Sequence, residues 1–434
     1  MRKLQRFKKT AMLSIVTALT LTATACGGSG EPGAGSEKDT ATAGKKSEPV
    51  TLKMYMANTS DTAYMPEVNR KFEEKNPGIK IELQTAPVDQ FQTVIKTKLA
   101  SGDAPDIFTV FAGTKKDSFV KAGYLMDLSD QPWVSRLTDA AKEVSSKDGK
   151  VYGFPNRQNT IGVIYNKKIF KDLGLAVPTN WDEFLAACQK IKDGGIIPLG
   201  LGLKDQFVTQ LIPYAMAPSA IYRDDPNFDK NMYAGKQTFT GSPWEQMMQD
   251  YIGLNEKGYF NKDSLGTSND QVQQMVSAEK IAMTVTLHGR IAAIKEANPN
   301  IELGMFPLPY VKAGEKIWVS SLPTIYGAIY AKTKHPVEAK KYFEFLAAPD
   351  IAQTILTSVN SFSVFKDVNA DLDPAVKDMA DGLKVGSYSF LDAVWPSTVQ
   401  PVMFQQIQNV FAGRKISDMI STMDKAFKDG ATQQ

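Results

Sequence analysis

The 434-residue chain is 43% hydrophobic, 10% aromatic and 22% charged, a globular composition that excludes a wholly disordered, collagen-like or disulfide-scaffold protein. Its length exceeds the roughly 100–200 residues of a single domain, so two or more folding lobes with apolar cores are expected. Lysine and arginine number 50 against 47 acids, but Arg2, Lys3, Arg6, Lys8 and Lys9 crowd the first nine positions, and the remaining body lacks the net positive charge that favours nucleic-acid binding.

After this cationic head, Ala11 to Ala25 is a run of small and apolar residues, shorter than the about 20 residues a helix needs to cross a bilayer. Ala23-Thr-Ala25 ahead of Cys26 resembles a bacterial lipobox, although Ala23 stands where leucine is usual. Residues 1–25 are therefore read as a lipoprotein signal peptide and Cys26 as the lipidated N-terminus, carrying a thioether-linked diacylglycerol and palmitate-type acylation. Plain secretion with Cys26 as a free thiol is the alternative. Residues 26–48 then form a tether: from Gly27 to Glu48 there are six glycines and no aromatic or branched aliphatic residue, so no core can form there. Such a leash reaches on the order of 25 Å. It contains Gly28-Ser-Gly30-Glu-Pro-Gly33, a formal dinucleotide fingerprint with neither the strand before it nor the helix after it that the chemistry requires.

From Val50 onward the pattern is βαβαβ. Val50 to Met56 alternates as a strand does, Met65, Val68 and Phe72 have helical spacing over 62–76, and Asn76-Pro-Gly78 stops that helix. Ile79 to Leu83 is a second strand, 89–100 a second helix, and Ile107 to Phe111 a third strand. Short strands separated by helices imply parallel pairing, with ligands bound beyond the carboxyl ends of the strands. Further on, Val151 to Pro155 and Gly162 to Tyr165 read as two strands. Asn180-Trp-Asp-Glu183 reads as a capping box opening a helix with Trp181, Phe184, Leu185, Cys188 and Ile191 on one face, Cys188 being a buried small apolar residue. Strands at 280–286 and 301–305 flank a helix through Ile291 and Ile294. Helices at 334–347, 402–411 and 417–428 close the chain.

These landmarks in order resemble the extracellular solute-binding proteins of carbohydrate ABC importers, the group that includes maltodextrin- and multiple-sugar-binding proteins. They include Phe72-Glu-Glu-Lys-Asn-Pro-Gly-Ile-Lys-Ile81, Leu99-Ala-Ser-Gly-Asp-Ala-Pro-Asp-Ile107, Gly149-Lys-Val-Tyr-Gly-Phe-Pro155, Ile164-Tyr-Asn-Lys167, Pro178-Thr-Asn-Trp-Asp-Glu-Phe184, Lys280-Ile-Ala-Met283, Leu303-Gly-Met-Phe-Pro-Leu-Pro309 and Pro336-Val-Glu-Ala-Lys-Lys-Tyr-Phe-Glu-Phe-Leu346. The resemblance implies an α/β, two-lobed periplasmic-binding-protein-like fold of type II, each lobe a mainly parallel sheet flanked by helices. Lobe 1 would comprise 49–157 and 321–368, and lobe 2 would comprise 158–320 and 369–434. The hinge crossings would fall near 156–162, 319–325 and 366–372. It also implies a monomeric, non-enzymatic receptor without cofactor or metal. That receptor would be lipid-anchored on the outer face of a bacterial, Gram-positive-type cell membrane, would close on a mono- or oligosaccharide, and would deliver it to the permease subunits.

A sugar site needs flat aromatic platforms and planar polar groups at its rim. By resemblance, Trp395 in Phe390-Leu-Asp-Ala-Val-Trp395-Pro is the expected stacking residue, with a core tryptophan as the bland reading. Trp318 precedes a crossing. Asn58, Thr59 and Asp61 follow the first strand, and Phe111 and Lys115 follow the third. Arg157 and Asn159 sit at the first crossing, Asp205 and Phe207 on another loop, and His288 and Arg290 after the 280–286 strand. Trp133 and Trp181 read as structural.

Two histidines and two cysteines give no His- or Cys-rich metal site, and any serine–histidine pair must use His288 or His335. Asp225, Asn227, Asp229 and Asn231 alternate like calcium-loop ligands, but Lys230 and Lys236 stand where an EF-hand needs glycine and glutamate. A surface glycosidase, using two carboxylates across a cleft, and a sugar sensor feeding a membrane histidine kinase remain the alternative functions.

Overall fold

The computed structural model describes residues 49–58 and 64–432, apart from the side chains of Asp89, Thr114 and Lys115. The expectations for the signal segment, Cys26 and the tether lie outside the described residues. Among those described, no helix is long and apolar enough to cross a membrane.

Nine strands form one continuous sheet: β1 Val50–Ala57, β2 Ile79–Ala86, β3 Ile107–Phe108, β4 Phe154–Asn166, β5 Ile197–Gly200, β6 Ile281–Leu287, β7 Leu303–Phe306, β8 Val319–Ile329 and β9 Ser387–Tyr388. The order is β2-β1-β3-β8-β4-β6-β5, with β9 beside β8 and β7 beside β4. β2, β1 and β3 are parallel, as βαβ crossovers require, and so are β5 with β6 and β8 with β9. The sheet is more mixed than expected. β8 runs antiparallel to β3 and β4, and β4 antiparallel to β6 and β7, because the chain passes along the sheet in opposite directions on these two long strands.

The alternation of strand side chains divides the core. Along β1, Met54 joins Phe72, Trp133, Phe154 and Phe343 on one face, while Tyr55 joins Phe91, Phe108 and Ile325 on the other. Along β4, Val163 joins Phe184, Tyr214, Trp244 and Trp395, while Ile164 joins Ile281, Ile294, Met305 and Met379. The polar stretch Asn156–Thr160 of β4 lies between these apolar groups. Sequence periodicity split β4 in two at that stretch, since a polar run reads as a loop. β8 carries Pro323 and Gly327 inside it and two register shifts, and its backbone is kept in the sheet by pairing with β4.

Two recurring sequence landmarks prove to be joinery. Asp106 of Ala104-Pro-Asp106 accepts the Lys53 backbone N–H at 2.8 Å and the Thr333 hydroxyl, tying β1 to the segment before β3 and to the end of β8. Asn180 caps the helix Trp181–Asp193 by accepting the Glu183 N–H at 3.1 Å. The reciprocal half of the expected box is shifted one residue, since the Glu183 carboxylate takes the backbone N–H and the hydroxyl of Thr179. Cys188 on this helix is fully buried, and burial pushes its thiol well above the ordinary range.

Candidate functional site

The paired central strands carry a polar seam with two faces. On one face of β4, Arg157 donates to Asn159 Oδ1, and Asn159 Nδ2 donates to Thr324 Oγ1 of β8 at 2.8 Å. Arg157 is only 4% exposed. On the other face, Gln158 Nε2 donates to Ser321 Oγ at 2.8 Å, and Ser321 Oγ donates to the Asn159 carbonyl at 3.0 Å. His288, just beyond β6, is fully buried against this second face. Its Nδ1 accepts the Thr160 backbone N–H at 3.2 Å, which leaves Nε2 to donate to Ser361 Oγ at 3.1 Å. Ser361 in turn donates to the Gln158 carbonyl at 3.0 Å. Burial first, and the nearby Arg157 charge second, hold the imidazolium down to about 3, so the ring is neutral at physiological pH.

The His288 arrangement joins three stretches of chain, those of Gln158–Thr160, His288 and Ser361. Among the described residues no carboxylate bonds the His288 ring, both His288 and Ser361 are shut away from solvent, and Ser361 donates to backbone. His335 sits far along the chain at the start of the helix Pro336–Ala347, its backbone N–H held by Thr333 Oγ1. Among the described residues no group of three or more His, Cys, Asp or Glu side chains is placed to hold a metal ion. Asp229, the third residue of the calcium-like alternation, turns its carboxylate into the core, while Asp225 bonds the Asn227 N–H and Gln237.

The expected site residues fall into three groups. Arg157, Asn159 and His288 are brought together in the seam. Asn58, exposed at the end of β1, Phe111, edge-on to Phe91 beyond β3, and half-buried Trp318, just before β8, lie at strand ends. Arg290 is half-buried in the first turn of the helix Arg290–Ala297 and has no ion pair among the described residues. Thr59 and Asp61 lie outside the described residues, as does the side chain of Lys115.

The remaining three are placed elsewhere, for physical reasons. Asp205 accepts the Asn269 backbone N–H at 2.7 Å, satisfying a first-turn donor of the helix Asn269–Ser277, whose own cap is Ser268. Phe207 lies on the short turn Gln206–Gln210 and packs against the apolar group of Val163, Phe184, Tyr214 and Trp244. Trp395 is the main correction: it is 0% exposed, wedged against Trp244 at 5.3 Å, Phe239 at 5.2 Å and Tyr214 at 6.4 Å between ring centroids. Its indole N–H donates to Asp229 at 3.0 Å, so both its apolar body and its polar edge are spent inside the core.

Asp229 is the residue that sequence reasoning missed in this role. Its buried carboxylate accepts from Tyr222 Oη at 2.9 Å, Tyr388 Oη at 3.0 Å and Trp395 Nε1 at 3.0 Å. Burial raises its pKa above the ordinary carboxylate value against the pull of these three donors. Tyr222 and Tyr388 stack at 3.7 Å and 7°. The segment that this network holds touches the other half of the molecule, where Gly113, ahead of the helix Thr114–Lys121, lies against the Ala393 backbone. A Cβ at Gly113 would come within 1.8 Å of the Ala393 carbonyl oxygen.

The model of one protein family, bacterial extracellular solute-binding protein, matches residues 57–353. The chain belongs to this family. Extracellular solute-binding proteins similar to it include the multiple sugar-binding protein of Streptococcus mutans, 26% identical over 385 residues that cover 86% of this chain and 87% of the relative. Another is the melibiose/raffinose/stachyose-binding protein MelE of Bacillus subtilis, 26% identical over 351 residues covering 79% of each. A solved sugar transporter of Bacillus licheniformis in complex with stachyose superposes with a TM-score of 0.75 at 26% identity, covering 89% of this chain and 100% of that one. The fold is thus the two-lobed α/β architecture of solute-binding proteins, and the family places such proteins outside the cytoplasmic membrane.

Proposed function

We propose that this protein is the sugar receptor of an ABC importer, capturing a sugar of oligosaccharide size between its lobes and handing it to a membrane permease. The observation that carries the reading is near full-length likeness to proteins that bind raffinose-type and other sugars, on a chain whose central strands form a polar seam. Lobe 1 is 49–157 with 321–368, lobe 2 is 158–320 with 369–434, and β4 and β8 carry two of the crossings. The apolar clusters on either side of Asn156–Thr160 support this division. Within the site, Arg157 and Asn159 present guanidinium and amide groups to hydroxyls, with Asn58, Phe111, Trp318 and Arg290 at the rim. Thr59, Asp61 and Lys115 belong to the same strand-end loops. Binding works by differential affinity: contacts from both lobes stabilise the closed arrangement over the open one. The protein is a monomer anchored through Cys26 and performs no covalent chemistry on the sugar.

The test is thermal unfolding with mono- and oligosaccharides, each analysed afterwards for cleavage. A ligand at about 100 times its dissociation constant adds roughly 2.7 kcal/mol to the folded state. A selective rise with intact sugar supports the receptor. Cleaved sugar favours a glycosidase, and no rise with any sugar refutes sugar capture. Loss of sugar uptake on deleting the gene separates an importer from a sensor, which leaves uptake unchanged.

A further inference from the structure

We propose that Tyr388 is an aromatic platform for the bound sugar and that Asp229 is the residue that positions it. The proposal rests on the sugar-receptor reading above. Trp395, the ring expected on sequence grounds, is enclosed in the core, and its indole N–H ends on Asp229. The same carboxylate reaches out of that core to Tyr388, seven residues earlier, which keeps part of its surface.

The Tyr388 ring is held three ways. Its backbone is hydrogen-bonded into the sheet through β9, level with Ser320 of β8, beside the seam. One ring face is backed by Tyr222, nearly parallel at 3.7 Å. Its hydroxyl is spent on a buried carboxylate, so what it offers outward is a flat carbon surface, the chemistry that stacks on the C–H face of a pyranose.

Two further observations place this surface toward a ligand. Ser320, on the same rung, is 1% exposed and its hydroxyl has no hydrogen-bond partner among the described residues, a polar atom that a ligand hydroxyl would satisfy. Burial first and then Asp229 raise the tyrosine's pKa, and Glu143 on the helix Asp139–Ser145 of the other lobe adds to this, so Tyr388 lies within electrostatic reach of that lobe. A ring locked before the ligand arrives costs little ordering on binding.

The experiment compares calorimetric affinity for raffinose and stachyose in wild type, Tyr388→Phe, Tyr388→Leu, Asp229→Asn and the Asp229→Asn/Tyr388→Leu double variant, with melting curves for each. Tyr388→Leu is expected to bind about tenfold or more weakly, a loss of about 1.4 kcal/mol, while Tyr388→Phe, which keeps the ring but loses the hydroxyl that Asp229 holds, weakens binding only as much as Asp229→Asn does. Asp229→Asn weakens binding in the wild-type background and adds nothing in the Tyr388→Leu background, the non-additivity expected of a residue acting through the ring. Wild-type affinity in Tyr388→Leu, or equal losses in the Phe and Leu variants, overturns the platform. A merely structural Asp229 lowers the melting point but shifts affinity equally in both backgrounds, which overturns its positioning role. Binding of no sugar of the thermal-unfolding panel by the wild type overturns the receptor reading together with this one.

Discussion

Replacing Trp395 by alanine distinguishes two opposite roles for the same side chain. A ligand-stacking tryptophan on the cleft wall would lose binding at little cost in stability. The structure predicts the reverse. Trp395 is fully buried among three aromatic rings and gives its indole hydrogen to the enclosed Asp229 carboxylate. Truncating a buried large aromatic residue costs about 3–5 kcal/mol through lost transfer energy and the cavity left behind. Removing one of three donors from a buried acceptor of this kind adds about 1.5–3 kcal/mol. For a cooperative unit of this size, unfolding entropy of about 2.1 cal/mol/K per residue turns the sum into a drop of roughly 6–10 °C in melting temperature. The assay is differential scanning calorimetry with and without sugar. A Trp395→Ala protein that melts within about 1 °C of wild type yet no longer binds sugar refutes the core assignment.

Acid titration tests the His288 junction. The folded protein protonates this ring only near about 3, whereas the unfolded chain does so near 6.5. Between those values the unfolded state binds more protons, so stability is lost as pH falls through the window, by up to about 1.4 kcal/mol per unit. His288→Gln should remove that slope between about pH 6.5 and 4.5; denaturant midpoints with equal slopes in both proteins would count against it. Asp229, raised by burial, acts in the opposite sense above its ordinary 3.8 and is common to both proteins. Gly113 sits at φ +71°, and a methyl group there collides with Ala393. Gly113→Ala should lose about 1–3 kcal/mol of stability and fail to compact on sugar addition in X-ray scattering; an unchanged decrease in radius would show that this contact does not govern closure. Buried Lys116 donates to the carbonyls of Val144 and Ser146 at the end of a neighbouring helix, so Lys116→Met should cost about 1–3 kcal/mol in urea unfolding, and an unchanged midpoint would contradict that.

The fold was legible wherever one periodicity ran uninterrupted. β1 and the helices Met65–Lys75 and Trp181–Asp193 emerge within a few residues of their observed bounds, because alternation or helical spacing there coincides with a single buried face. β4 and β8 were harder to read. Their middles are polar or carry proline and glycine, and tertiary pairing, not local pattern, keeps them extended. The polar residues in the middle of β4 stand out in the sequence because guanidinium and amide side chains follow Phe154-Pro155. Trp395 was misplaced because sequence shows a tryptophan in a proline-flanked loop but not which way it turns. The signal that decides its direction is Asp229, some 160 positions away and camouflaged among alternating Asp and Asn residues. Tyr388 carries no local mark at all. Its meaning comes from Tyr222 behind it and β8 beside it, neither of which is near in sequence.

Isothermal titration of the purified protein with raffinose, stachyose and shorter sugars, followed by chromatography of the recovered sugar, tests the central claim most directly. The account predicts saturable binding at one site per chain and sugar recovered intact. Absence of binding heat across the panel, or release of cleaved products, would contradict it.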